Sequence, residues 1–350
     1  MARLPVNIVS TQIRNYIING NFDFWQRNTS FSSPVTGSYL ADRYRVDFDG
    51  TIGTYSISRQ TFTLGQTDVP GNPSYFLRWN HTVAGSGSTN RVLQQLVEGV
   101  RTLAGKNVTL SLYAKADSAR TVGVSMEQFF GTGGSPSSAV TLATQNINLT
   151  TVWQKFTLTF NVPSISGKTI GTDGNDYTNV TFRMPINVVM TIDLSRIMLN
   201  DGVNPADFKL AGENLEGELA LCQRYFEKSY DMETPIESAP VFNGAFAVNG
   251  VGSNNRPYFT IPFVTRKRRV PTVVGYNPQT AATSTPIYDV QNTASFATST
   301  FALRLIQGEN ATSAGNVSES TPFVWTTDDE MHSTARIAIT GWSNTPLEDL

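Results

Sequence analysis

Cysteine and histidine are almost missing from this chain, and each scarcity removes a class of chemistry. A single cysteine, Cys222, excludes an internal disulfide framework. One Cys and two widely separated His, His81 and His332, fall short of any transition-metal ligand spacing. The same two histidines are the available bases for a nucleophilic triad. His81 closes a strand-like run beside Trp79 and His332 lies in an acidic, turn-like stretch, so both read as structural or solvated. Charge is also scarce. Charged residues make up 15% of the chain, and a net charge of −2 with a pI near 5.8 gives no broad attraction to nucleic acid or an anionic membrane. No apolar run approaches the roughly 18 residues of a membrane helix. Met1 to Gly20 has no continuous apolar core after a basic start, so the expectation is a soluble protein made without a secretory route. Gly131-Thr-Gly-Gly-Ser135 lacks the lysine of a phosphate loop. No fixed-period repeat supports a propeller or β-helix.

What remains is a chain of short β-type runs separated by Gly, Asn, Ser and Thr turns, 350 residues long and enough for two domains. Strand-like runs fall at Arg43–Phe48, Thr54–Thr63, Tyr75–His81, Arg91–Val97, Val108–Ala114, Thr121–Phe130, Thr141–Leu149, Trp153–Val162, Thr181–Pro185 and Val188–Leu194. Val108, Leu110, Leu112 and Ala114 share one face of their run, as do Phe156, Leu158 and Phe160 of theirs. Runs spaced near ten residues predict an all-β protein with a jelly-roll or related β-sandwich. Further runs at Val241–Val248, Tyr258–Val264, Thr272–Tyr276, Ile287–Val290, Thr300–Ile306, Phe323–Thr326 and Ala335–Trp342 predict a second, smaller β-sandwich.

One helix interrupts the pattern. Over Glu213–Asp231, Leu215, Leu219, Cys222 and Phe226 recur at helical spacing and give an apolar face. Asn214 is its expected N-cap, the acidic residues Glu213, Glu216 and Glu218 crowd its start, and Arg224 and Lys228 sit near its end. Gly217 costs about 1 kcal/mol against alanine, so the helix needs packing. The expected organisation is an arm over 1–14, a jelly-roll over 15–205, a helical connector over 206–232 and the second β-domain over 233–350.

Three segments carry a resemblance. Asn15-Tyr-Ile-Ile-Asn-Gly-Asn-Phe-Asp-Phe-Trp-Gln-Arg27, followed by Tyr39-Leu-Ala-Asp-Arg-Tyr44, resembles the opening of a module recurrent in tailed-bacteriophage virion proteins. Arg101-Thr-Leu-Ala-Gly-Lys106 leading into Val108–Lys115 is similar to its middle, and Glu218–Tyr230 to the segment that follows. The resemblance implies a jelly-roll similar to carbohydrate-binding modules, placed on tail-fibre or other virion-surface proteins that are often homotrimers. It implies other virion proteins as partners, a host-surface glycan as a further one, and a location in the virion.

Candidate chemistry is sparse. Asp173-Gly-Asn-Asp176 and Asp328-Asp-Glu330 are the acidic clusters a glycoside hydrolase would need, but adjacent carboxylates in loops read as solvated turns. The first also lacks the rest of a Ca²⁺ loop. Arg266-Lys-Arg-Arg269 reads as a charged hairpin turn. A glycan site needs a ring to stack on a sugar plus a few amides; Trp25, Tyr39, Tyr44, Trp79, Phe129, Phe130 and Trp153 are available. Phe129, Phe130, Trp79 and Tyr39 are the candidates carried forward. Adjacent strand residues face opposite ways, so one of Phe129 and Phe130 is expected in the core and the other exposed. The face of Leu215, Leu219, Cys222 and Phe226 is expected to pack on its own β-domain, with a subunit interface as the alternative and these four as its candidate residues. The sequence thus leads to a non-enzymatic, cofactor-free virion component with scaffolding first, glycan contact second and polysaccharide degradation third.

Overall fold

The computed structural model describes residues 13–241 and, beyond them, 243, 246–247, 263–268, 276, 279–281, 287–289, 294–296 and 339–340. In chain order the strands of the first part are β1 (Ser30–Ser32), β2 (Tyr44–Phe48), β3 (Thr54–Thr61), β4 (Tyr75–Val83), β5 (Arg91–Glu98) and β6 (Asn107–Ala116). They continue as β7 (Arg120–Phe129), β8 (Val140–Thr141), β9 (Gln145–Leu149), β10 (Gln154–Asn161), β11 (Tyr177–Arg183) and β12 (Met190–Asp201). One antiparallel sheet runs β1-β3-β4-β12-β6-β10 and the other β2-β5-β11-β7-β8, with β9 also on β7. This is a jelly-roll β-sandwich, as the run spacing predicts.

The core follows from strand alternation. Leu110, Leu112 and Ala114 of β6, Leu77 and Trp79 of β4, and Ile192 and Leu194 of β12 face Leu93 of β5, Val180 and Phe182 of β11, and Val122, Val124 and Met126 of β7. Trp79, read above as a candidate for sugar stacking, is fully enclosed here and has no face to offer a ligand. His81 is enclosed too, its ring 4.9 Å from Tyr55 and 6.0 Å from Trp79. Burial, with the Arg91 charge second, lowers its pKa to about 4.

The familiar N-terminal segment closes one end of the sandwich. The Asn15 amide oxygen accepts from Ile17 and Leu199, and its nitrogen donates to the Lys209 carbonyl. Asn19 donates to the Phe24 and Asp42 carbonyls. Gln26 Nε2 bridges the Asp42 carboxylate and the Phe226 carbonyl at 2.6 and 2.9 Å. Arg27 pairs with Asp42 and lies 4.0 Å from the Phe226 ring centre. Burial depresses Arg27 to about 10 and raises Asp42, opposed in each by the partner's charge. Tyr39 packs with Tyr225 and Ile18, so it is a closure residue and not a surface ring.

The helix α1 spans Leu215–Gln223, shorter than the 213–231 reading. Asn214 caps it as expected, accepting from Gly217 at 2.7 Å. The chain leaves the helix at Arg224 because long-range partners take the next backbone groups: Gln26 binds the Phe226 carbonyl and the Arg268 amide binds the Arg224 carbonyl. Glu218 is buried and accepts from the backbone of Asn19 and Gly212. Gly217 has a reason: an added Cβ would sit 2.1 Å from the Gly212 carbonyl oxygen. The expected interface face divides. Cys222 and Phe226 are buried inside the chain, so they are unavailable to another subunit; Leu215 is 55% exposed and Leu219 is half-buried. Local spacing made one stripe of four residues, but Phe226 lies beyond the helix end and turns in toward Arg27.

Of the expected second domain, the described strands are β13 (Phe246–Ala247), β14 (Ile287–Asp289), β15 (Ala294–Phe296) and β16 (Ile339–Thr340), in the order β13-β16-β14-β15. Strand β16 pairs in parallel with β13 and β14. Phe263, Val264 and Tyr276, read as strand residues, lie outside strands. The runs Thr300–Ile306 and Phe323–Thr326, the cluster Asp328–Glu330, His332 and nearly all of the arm fall outside the described residues.

Candidate functional site

The outward face of the second sheet gathers polar side chains where alternation puts the core on the other side. Leu93 and Val97 of β5, Val180 and Phe182 of β11, and Val124 and Met126 of β7 point inward, so Gln94, Leu96, Asn179, Thr181, Ser125 and Glu127 point outward. The ladder places them in rows. Thr181 pairs with Gln94 on one side and Ser125 on the other; Asn179 pairs with Leu96 and Glu127. The next row is Glu98–Tyr177–Phe129, and the row at the opposite end is Val92–Arg183–Gly123. At about 3.3 Å per residue, Tyr177 to Arg183 spans about 20 Å.

The chemistry of this face is hydrogen bonding beside an aromatic pair. Asn179 is only 6% exposed, yet its Oδ1 has no hydrogen-bond partner among the described residues. Its Nδ2 reaches Gln94 Oε1 at 3.5 Å, the outer limit of a useful bond. Leaving such an acceptor buried without a donor costs about 1–3 kcal/mol. Glu127 accepts from Thr141 at 2.7 Å, and Arg183, exposed, donates to Asn90 at 3.4 Å. At the far end the Phe129 and Tyr177 rings lie 4.8 Å apart, tilted by 31°, both half-buried. The Asn179 acceptor and the neighbouring Gln94, Thr181 and Ser125 are buried, so the accessible groups are the ring pair, Glu127 and Arg183, which can hold a polyhydroxylated ligand by stacking and hydrogen bonds.

The sequence candidates divide around this face. Phe129 belongs to it. Phe130 is buried, its carbonyl accepting from Gly171 at 2.7 Å, so the opposed orientation of the pair holds while the exposed ring turns out half-covered by Tyr177. Trp79 and Tyr39 are buried elsewhere, and Trp25 and Tyr44 join the core. Trp153 clusters with Phe62 and Phe76 at 5.3 and 5.4 Å. Sequence reasoning missed Tyr177 and Asn179 because the run there was taken to start at Thr181, and missed Gln94 because nothing inside the Arg91–Val97 run marks it. The alternation Tyr177-Thr-Asn-Val-Thr-Phe182 carried the signal.

The acidic turn before β11 is occupied by its own loop. Asp173 accepts from Thr132 Oγ1 at 2.6 Å, Asn175 from the Thr132 amide at 2.8 Å, and Asp176 from the Val100 amide at 2.7 Å. Among the described residues, no cluster of three or more His, Cys, Asp or Glu could hold a metal ion. No helix of the described residues is long and apolar enough to cross a membrane.

A concavity of about 520 Å³ opens beside Glu98, sharing Leu96 with the outward face and lined also by Tyr16, Arg43, Arg224 and Tyr225. Its charges answer one another. Glu98 takes two bonds from Arg224 at 3.0 and 2.7 Å and one from the Tyr225 hydroxyl. Burial pushes the Glu98 carboxyl up, but the bonds from Arg224 and Tyr225 and the charges of Arg224 and Arg268 outweigh it and hold it at about 2. Arg43 stacks on Tyr225, 3.4 Å from the ring centre. This is a joint between strand end and helix.

No family model matches the chain, and no curated protein matches it in sequence. Among solved structures, it is similar to the enzymatically active domain of bacteriophage CBA120 tailspike protein 4, at 14% identity and a TM-score of 0.35. That match covers 54% of this chain and 21% of the tailspike chain. It is also similar to the N-terminal cellulose-binding domain of Cellulomonas fimi β-1,4-glucanase C, at 16% identity and a TM-score of 0.30, over 46% of this chain and 90% of that one. A third similar structure is the CBM22-2 xylan-binding domain of Paenibacillus barcinonensis Xyn10C, at 11% identity and a TM-score of 0.30, over 54% of this chain and 98% of that one.

Proposed function

We propose that this chain is a non-enzymatic component of a bacteriophage particle whose jelly-roll holds a host-surface glycan across the outward face of β5, β11 and β7. The observation that carries the glycan reading is the ring pair of Phe129 and Tyr177, half-buried and 4.8 Å apart at one end of that face, one row from Glu127. A pyranose face stacks on Phe129 and Tyr177, and sugar hydroxyls bond the accessible side chains of Glu127 and Arg183. The virion context rests on the resemblance of Asn15–Arg27, Tyr39–Tyr44, Arg101–Lys115 and Glu218–Tyr230 to phage virion modules. The same resemblance motivates a homotrimer, which light scattering of the purified chain tests.

The face favours a neutral glycan. Glu127 sits at its centre, Arg45 beside Gln94 pairs with Asp47, and Arg183 lies at one end, so among the described residues no cluster of cations waits for an acidic sugar. The test is retention of the full chain on host lipopolysaccharide or capsular polysaccharide, with the recovered glycan sized by chromatography. Saturable binding without shortened products supports the reading. Shortened products overturn its non-enzymatic part, and absence of binding to every host glycan overturns the glycan part.

A further inference from the structure

The basic run Arg266–Arg268 departs most from its sequence reading. Arg266 is exposed, but Lys267 is 3% exposed and the Arg268 side chain is nearly enclosed, so this is not a solvated hairpin turn. Lys267 Nζ donates to the Gln223 carbonyl and pairs with Glu227. The Arg268 amide donates to the Arg224 carbonyl at 3.3 Å. Its guanidinium reaches further. Nη2 donates to the carbonyls of Gly174 at 3.1 Å and Asp176 at 3.0 Å, and Nε lies 3.7 Å from Glu98 Oε1.

Those contacts bracket one residue. Asp176 immediately precedes Tyr177, and Glu98 is the cross-strand partner of Tyr177 in β5. On the opposite side the Asp176 carbonyl also accepts from Gly99, and its carboxylate from Val100. Gly174 takes a φ of 67°, a conformation open to glycine, and its carbonyl and that of Asp176 are the two that Arg268 binds. Arg268 therefore ties the entry of β11 to the end of β5. Its planar fork suits two carbonyls and a carboxylate at once, which a lysine ammonium cannot match in geometry.

We propose that Arg268 is a positioning residue for Tyr177, so that glycan held on the outward face depends on a segment far along the chain, after the helix. This rests on the glycan reading given above for its consequence, but not for its structural half. A ring fixed before the ligand arrives loses less freedom on binding than one that must be ordered at that moment. Releasing it weakens binding about three- to tenfold.

Two measurements on the full chain separate the possibilities. In the first, amide hydrogen exchange over 174–179 is compared between wild type and Arg268→Ala without any glycan. Faster exchange at 176–178 in the variant, with the remaining β11 amides unchanged, is expected. Equal exchange overturns the proposal whatever the glycan does. In the second, affinity for the retained host polysaccharide is measured for wild type, Arg268→Ala, Tyr177→Ala and the double variant. Arg268→Ala should bind three- to tenfold more weakly and add nothing once Tyr177 is alanine. Undiminished binding by Arg268→Ala, or a full additional loss in the Tyr177→Ala background, overturns it. If wild type binds no glycan, the function fails while the exchange result still decides the positioning role. Arg268→Lys is the second variant should the alanine protein not fold; partial loss in both assays is expected, and wild-type values in both overturn the proposal.

Discussion

His81 provides a sharp test of how the core is built. Its ring is enclosed between Tyr55 and Trp79, and Arg91 lies close enough to oppose a positive charge there. Its pKa falls to about 4 in the folded chain, against about 6.5 in an unfolded one. Between these values the unfolded chain binds more protons than the folded one, so stability is present above pH 6.5 and is lost as pH falls toward 4. From pH 7.5 to pH 5 the two pKa values give a loss of roughly 2 kcal/mol, or about 4–8 °C in Tm for a domain of this size. His81→Phe keeps a flat ring in the stack and removes the titration. Urea unfolding of wild type and His81→Phe at both pH values isolates the histidine. Asp23, Asp42 and Glu218, whose carboxyls burial raises, contribute equally to both proteins with the opposite sign. The variant should be less sensitive to acid by roughly 2 kcal/mol. An identical acid loss in both would refute the reasoning.

Three further outcomes follow from the packing. Gly217→Ala should destabilise by about 1–3 kcal/mol in urea unfolding, against the gain of about 1 kcal/mol that helix propensity alone forecasts, because the new methyl meets the Gly212 carbonyl. Glu218→Ala leaves the Asn19 and Gly212 amides without their acceptor, so stability should fall by about 3 kcal/mol and the Asn19 amide should exchange faster. Trp79→Ala should cost about 3–5 kcal/mol, while glycan affinity per folded molecule stays unchanged, since that ring lies in the core.

Legibility in the sequence tracked how local each determinant is. The alternation of β6 and β10 was readable because Val108 to Ala114 and Phe156 to Phe160 each obey a two-residue period against one core. The Asn214 cap and the opposed faces of Phe129 and Phe130 were readable for the same reason. Strand β12 was read as ending at Leu194 but runs to Asp201, because Arg196 takes a φ of 50° and the register shifts between Ser195 and Met198, which breaks the period. The helix end was hidden in Gln26 and Arg268, residues distant in sequence that capture the Phe226 and Arg224 carbonyls. Burial of Lys267 and Arg268 was equally invisible, since a run of cations reads as solvated until Glu227 and Glu98 are known to face it. The candidate face suffered from a boundary. With Tyr177 and Asn179 left outside the Thr181–Pro185 run, Phe129 stood without its aromatic partner and Gln94 without its amide neighbour. Of the segments resembling phage proteins, Asn15–Arg27, Tyr39–Tyr44 and Glu218–Tyr230 build the closure of the sandwich and Val108–Lys115 lies in β6, so they speak to fold and not to the face.

The central claim is that a glycan lies on the outward face of β5, β11 and β7. It is tested most directly by titrating the isotope-labelled full chain with host polysaccharide fragments and following side-chain amide and aromatic resonances. Saturable shifts are expected at Phe129 and Tyr177 and at the adjoining Asn179 and Gln94, with the Phe62, Phe76 and Trp153 cluster unmoved and the shifts abolished in Tyr177→Ala. Shifts confined to the Phe62–Phe76–Trp153 cluster, or none at all with any host glycan, would contradict it.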